Sequence, residues 1–210
     1  MIVALSFDDG YMGHMEIARL LSRLGIKATF FVITHLKYFE GKPLLTINDE
    51  LIAELSALGH EVASHTCTHR VLVDLSTDEL KYELKESRRY LEDITGKEVL
   101  GLAYPYGIYN LRVIKIVKDY YYYARATDLF VFDDPLNINF NRYRIGAVGL
   151  RSLHKLLLHM LNPHYRGKIK PVIFIHNIKK SRLLLLIDIL KLLGVSFITL
   201  KDLVNMVSSI

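Results

Sequence analysis

The stretch IVALSFDDGYMGHMEIARLLSRLGIKATFFVI, residues 2–33, sets two apolar runs on either side of a segment with helical spacing. Ile2–Phe7 is short and apolar almost throughout, as a strand covered on both faces is. Met12–Leu24 reads as a helix, and Gly25 follows it where a left-handed cap needs no Cβ. Ile26–Ile33 is then a second buried strand. A strand, a helix and a strand in that order form a crossover unit, which places the two strands side by side and parallel.

The pattern repeats along the chain. Further strands are expected at Glu61–Ser64, Val99–Ala103, Tyr121–Ala126, Tyr143–Val148, Val172–Ile175 and Val195–Ile198. Helices are expected at Asn48–Leu58, Thr77–Ile94, Leu111–Tyr120, Leu150–Leu161 and Leu183–Leu193. Glycines at 59 and 194 repeat the stop signal of Gly25, and Ser76 with Glu79 forms a capping box. Repeated βα units argue for an α/β fold with a parallel sheet, open or closed into a barrel. With 210 residues and no linker, repeat or low-complexity tract, residues 1–210 read as one domain. Ligands of such folds gather at the carboxyl ends of the strands. Asp8, Asp9, His65, His69, Tyr104–Gly107 and His176 all follow strands directly.

Composition narrows the classes. At 51% hydrophobic and 23% charged the chain is globular. Lysine and arginine exceed aspartate and glutamate by 27 to 22, an excess read as spread along the chain, so no nucleic-acid partner is expected. The single cysteine, Cys67, excludes an intrachain disulfide and fits a reducing compartment. No leader pattern precedes Ile2, and the apolar run at 183–195 is too short and too charged to span a bilayer. A cytoplasmic location is expected.

His65 and His69 in SHTCTH (64–69) are four apart, so a helical turn brings both imidazoles to one side, close enough to share a metal. An isolated pair of this kind is equally two loop histidines that only hydrogen-bond. A third ligand is available from Asp8–Asp9, since two histidines and a carboxylate make an open-sided site; the second aspartate is then free to act as a base.

The motifs SFDDG (6–10), SHTCTH (64–69), AYPYG (103–107) and VIFIH (172–176) occur in the order and approximate spacing of the polysaccharide deacetylase family, the NodB-homology or carbohydrate esterase 4 type, which the chain resembles over residues 6–176. The resemblance implies a deformed (β/α) barrel of about seven parallel strands, like a TIM barrel. It implies metal-dependent removal of an acetyl group from an N-acetylated sugar or oligosaccharide. By resemblance Asp8 is the base, and Asp9, His65 and His69 hold one divalent ion, zinc in the first place, with cobalt, nickel or iron as alternatives. Tyr106 lends its backbone N–H to the oxyanion and His176 is the general acid.

Two departures stand out. The family's third motif usually opens with an arginine that pairs with the base, and Ala103 stands there. Without a cation nearby a buried Asp8 would tend to be protonated, so Arg125, from the following strand, is expected to supply the charge. The family's tryptophan motif is absent, which leaves the residue that orients His176 open, with Asp128 as a candidate. Tyr11, Tyr104 and Tyr106 are candidates to stack on the sugar. Cys67 is expected to point away from the histidines. His154, His159 and His164, among leucines, read as core packing; the other readings are contact with a second subunit or peripheral contact with a membrane. Rival functions are a carbohydrate-binding pseudoenzyme, a related deformylase or cyclic-amide hydrolase, and a non-haem iron oxygenase, which uses the same ligand set.

Overall fold

The structure, a computed structural model, describes residues 1–127, 141–162 and 170–208. Its strands are β1 (Ile2–Phe7), β2 (Thr29–Val32), β3 (Tyr38–Phe39), β4 (Lys42–Pro43), β5 (Glu61–Ser64), β6 (Gly101–Ala103), β7 (Tyr123–Arg125), β8 (Val148–Gly149), β9 (Val172–Ile175) and β10 (Ser196–Ile198). Its helices are α1 (His14–Arg23), α2 (Asp49–Ala57), α3 (Thr77–Thr95), α4 (Leu111–Val117), α5 (Leu153–Leu161), α6 (Lys180–Leu192) and α7 (Leu200–Ser208).

Seven parallel strands run β7-β6-β5-β2-β1-β9-β8 around a curled sheet. A parallel bridge from Arg125 to Ile145, just ahead of β8, draws the two ends together. The result is the deformed (β/α) barrel that the motifs implied. β10 lies off this ring, beside the first residues of β1.

Strand period explains both layers of the core. Val3, Leu5 and Phe7 of β1 join Phe30, Val32, Leu102 and Ile173 beneath the helices. The alternate positions Ala4, Phe31, Ala63, Ala103 and Val172 face the barrel's interior. Alanine at three of those positions leaves the interior room for Tyr123 and Arg125, both fully buried. The bottom is plugged by Leu200, Leu203 and Val204 of α7. There Leu200 N–H donates to Thr29 Oγ1 (2.8 Å) and Lys201 N–H to Glu61 (2.9 Å), so the helix's first amides satisfy buried acceptors.

Where the expected and observed elements differ, a hydrogen bond gives the reason. β2 starts at Thr29 and not Ile26, because Ala28 N–H donates to His60 Nδ1 (3.2 Å) and not to a strand. The strand expected at 143–148 divides its bonds: Ile145 N–H goes to Ala124 of β7, and Val148 pairs with β9. The hairpin β3–β4 and helix α7 had no counterpart in the sequence reading. Helix signals fared better: Gly25, Gly59 and Gly194 all take positive φ, and the Ser76–Glu79 capping box forms.

Candidate metal centre

The carboxyl ends of β1, β5, β6, β7 and β9 bring the sequence-predicted residues to one rim of the barrel. Asp9, His65 and His69 are buried, and their ligand atoms all lie within 4.8 Å of one another. Asp9 Oδ1 is 3.4 Å from His65 Nε2 and 3.6 Å from His69 Nε2, and the two imidazole nitrogens are 3.2 Å apart. Three ligands of one tetrahedral zinc-like ion, each at roughly 2.0–2.2 Å, stand about 3.3–3.6 Å apart, so the triangle has the right size.

Its chemistry fits as well. His65 Nδ1 lies 2.9 Å from the Ala103 carbonyl, which only accepts; Nδ1 therefore carries the proton and Nε2 turns a lone pair inward. His69 is kept neutral: burial first, then the adjacent His65, hold it down to about 3. Burial alone would raise Asp9, but the imidazoles around it, His65 first and then His176 and His69, bring it down to about 2. Asp9 Oδ1 is buried with no hydrogen-bond partner. Asp9 Oδ1 and His65 Nε2 are inward acceptors, and His69 Nε2, 3.2 Å from His65 Nε2, would complete a cradle for a cation once its proton moves to the unpartnered Nδ1.

The backbone is bent to achieve this. Asp9, Thr66, His69 and Tyr106 have positive φ, which leaves Glu40 as the one other non-glycine residue with it among the described residues. Such conformations cost of order 1–3 kcal/mol each and persist where the surroundings impose them. Gly10 continues the turn at φ 73°, and a Cβ there would meet Val32 at 3.1 Å.

Asp8 turns away from the triad and into the barrel. Arg125 Nη2 donates to its Oδ2 at 2.6 Å, and both side chains are buried. The guanidinium lies between the rings of Phe31 and Phe174, 5.1 and 5.2 Å from their centroids. Arg125 is the register partner of Ala103, so the cation comes from the neighbouring strand at the same level of the barrel. Asp8 Oδ1 has no partner and remains a buried acceptor. His176 stands at the mouth, 52% exposed, with Nε2 3.9 Å from Asp8 and 4.0 Å from Asp9.

Tyr106 sits on a tight turn after Pro105, 58% exposed, its ring edge-on to His69 at 4.6 Å. Of the stacking candidates it alone is open to an incoming sugar. Tyr104 is buried with its hydroxyl on the Tyr143 carbonyl, and Tyr11 is buried against Glu40. Cys67 faces the core, its thiol pushed up to about 12 by burial and then by Glu83. His154 is exposed and His159 half-buried; the core positions of their helix are Leu156 and Met160. Asp128 and His164 lie outside the described residues.

Three contributors escaped the sequence reading. Glu83 of α3 reaches under SHTCTH, accepting from the amides of Cys67 (2.8 Å) and Thr68 (2.9 Å) and from the Thr68 hydroxyl. His14 of α1, buried and held neutral by burial, donates from Nε2 to the His176 carbonyl at 2.8 Å. Phe39 of β3 packs on the ring of His69 with centroids 4.6 Å apart, closing one side of the imidazole. Glu83 lies in a charged helix that looks solvated, and only its place among Leu80, Leu84 and Ser87 on the buried face singles it out.

A family model described as polysaccharide deacetylase matches residues 1–124, which include Asp8, Asp9, His65, His69 and Tyr106 but not Arg125 or His176. The putative polysaccharide deacetylase YxkH of Bacillus subtilis is 30% identical over 117 residues, 55% of this chain and 40% of that protein, so the chain spans less than half of that relative's length. Among solved structures, the deacetylase PplD of Streptococcus pyogenes in complex with acetate is 28% identical, with a TM-score of 0.55 over 60% of this chain and 55% of that one. A family 4 carbohydrate esterase from Bacillus anthracis, 22% identical, shares the fold at a TM-score of 0.69 over 97% and 82% of the two chains.

Proposed function

Because the chain belongs to the polysaccharide deacetylase family, we propose that it hydrolyses the amide of an N-acylated amino sugar, releasing acetate or another short acid and a free amine. The observation that carries this reading is the pairing of two kinds of carboxylate on one rim. Asp9 converges with His65 and His69, whereas Asp8, one residue away, is held by Arg125 with a free oxygen.

In this reading Asp9, His65 and His69 would hold a divalent ion, which when bound would supply the Lewis acidity that an unreactive amide requires. Asp8 takes the water's proton on Oδ1, while Arg125 keeps Oδ2 occupied and so fixes which oxygen is available. Tyr106 N–H, on a turn set by Pro105 and Gly107, donates to the oxyanion. His176, half-exposed above both aspartates, gives a proton to the departing nitrogen. His14 holds the carbonyl of His176 and so the height of its ring over the site. Zinc is the first choice of ion; cobalt, nickel and iron accept the same ligands. The lone cysteine favours a reducing, cytoplasmic setting and hence a small or lipid-linked sugar.

Ala103 was the reason to consider a binding protein without turnover, and an arginine on Asp8 takes that reason away. The test is acetate release from an N-acetylated chito-oligomer with metal content measured in parallel. Asp8→Asn should keep its metal and lose at least about a hundredfold in rate. Asp9→Asn and His65→Ala should lose the metal itself, and a chelator should abolish activity that added divalent ion restores. Full turnover in Asp8→Asn would sink the division of roles.

A further inference from the structure

The modest net charge, read above as spread along the chain, is in fact divided between two regions. Of 27 lysines and arginines and 22 aspartates and glutamates, eleven basic residues and one acid, Asp188, fall between residues 141 and 191. The rest of the chain has more acids than bases, and its arginines are largely paired, as Arg19 is with Glu54, Arg88 with Glu92 and Arg89 with Glu86. On α5, α6 and the turns leading into them, Arg151, Lys155, Lys179 and Arg182 are exposed, and no carboxylate among the described residues pairs with them.

The same helices expose leucine. α5 buries Leu156 and Met160 and is still apolar on its other side, where Leu158 is 65% and Leu161 58% exposed. His154, Leu158 and Leu161 follow at four and three residues, one outward stripe, with Arg151 and Lys155 alongside. α6, next to α5 because β8 pairs with β9, exposes Leu185 and Leu192. A cleft of about 500 Å³ between the starts of the two helices has Leu150, Leu153 and Leu186 in its walls, with Lys179 and Arg182. Asn177, which follows His176, also lines it, so this face adjoins the mouth of the metal centre.

From leucines set among unpaired cations we infer that the α5–α6 face docks on an anionic lipid bilayer. Lipid phosphates neutralise the cations, and the exposed leucines enter the acyl boundary. A second copy of the chain fits poorly, since two such faces bring like charge against like charge. Nucleic acid would match the charge but gives the leucines nothing apolar to enter. No helix among the described residues is long and apolar enough to cross a membrane, so the contact lies along the surface.

The test is co-sedimentation of the full chain with vesicles of phosphatidylcholine alone and of an equal mixture of phosphatidylcholine and phosphatidylglycerol. The protein should pellet with the mixed vesicles only. Arg151→Gln and Lys155→Gln should each weaken partitioning about fivefold. Leu158→Ser with Leu161→Ser should abolish the binding that survives in high salt, while circular dichroism stays unchanged, because every substituted side chain is exposed. Three results would each overturn the proposal. They are no pelleting with the anionic vesicles, binding to vesicles and duplex DNA that is equal and insensitive to the leucine changes, and a dimer in sedimentation velocity that those changes dissolve.

Discussion

Asp8 and Asp9 are adjacent, chemically identical and both buried, yet their surroundings divide them: one faces imidazoles, the other a guanidinium. Both lie just beyond β1: Asp8 still bonds its N–H to the Ile175 carbonyl, and Asp9 then turns into left-handed backbone at φ 74°, which sends the two carboxylates to different places. Arg125 is the residue whose loss should be felt most. Arg125→Ala strips the counter-charge from a buried carboxylate, a change that costs of order 3–5 kcal/mol, and the rate of the proposed amide hydrolysis should fall at least about a hundredfold. Because Ala103 is the register partner of Arg125, the double variant Ala103→Arg with Arg125→Ala should recover most of the lost rate. A double variant no better than the single one would show that the guanidinium's approach, and not its presence, is what matters. The meeting of His65 and His69 was legible from their spacing of four after a strand, whereas Asp9 was chosen over Asp8 only through the family resemblance. The arginine's position was legible only as a conjecture, since no pattern within one strand shows which residue stands beside it on the next.

The loop between His65 and His69 is held from below by α3. Thr66 and His69 adopt left-handed backbone, and Glu83 takes the amides of Cys67 and Thr68 between them, so the helix supplies what the loop's own residues lack. Glu83→Gln keeps the size of the side chain but replaces an acceptor with a donor. Its metal affinity should fall about 10- to 100-fold by competition with a chelating dye, as expected when a partner that orients ligands is lost. Unchanged affinity would mean that the loop holds itself. Element by element, the helices were read nearly to their ends because caps and glycines mark them; the strands Ile2–Phe7, Glu61–Ser64 and Val172–Ile175 were read to the residue, whereas those expected at 26–33, 99–103 and 121–126 were read too long. Strand ends depend on which neighbour takes each amide, and for Ala28 that neighbour is a histidine from β5's approach. α7 went unread although Thr199 caps it through Asp202 and Leu200, Leu203 and Val204 repeat at helical spacing. The signal was present, nine residues long and at the far end of the pattern.

Viewed as a body, the barrel ties acid stability to its buried histidines. His60 accepts from Ala28 N–H and donates to the Ala18 carbonyl at 3.0 Å; burial lowers its pKa from the usual 6.5, so it folds neutral. Below pH 6.5 the unfolded chain therefore binds a proton that the folded one refuses, and stability falls as pH drops, by at most about 1.4 kcal/mol per pH unit for this group. His60→Asn should be less stable at neutral pH but show a flatter slope in urea midpoints between pH 6.5 and 5; parallel slopes would remove His60 from the account. The parallel sheet was legible as a class from alternating strands and helices. Its closure was not, because among the described residues the ends meet only through a few bonds from Arg142 and Ile145 to Ala124 and Ala126, outside any run of strand. The pairing of β1 with β10 reaches further still. Ile2–Ala4 lie against Ser196–Ile198, and the amino group of Met1 donates to the Gly194 carbonyl 193 positions away. During synthesis β1, which leads into both aspartates, leaves the ribosome long before β10 and must wait for it before the pairing at Ile2–Ala4 can form. Contacts of such span close slowly. Until β10 arrives, the Ile2–Ala4 end of β1 lacks that neighbour, and this short stretch is the edge that a chaperone, or a second nascent chain, would meet first.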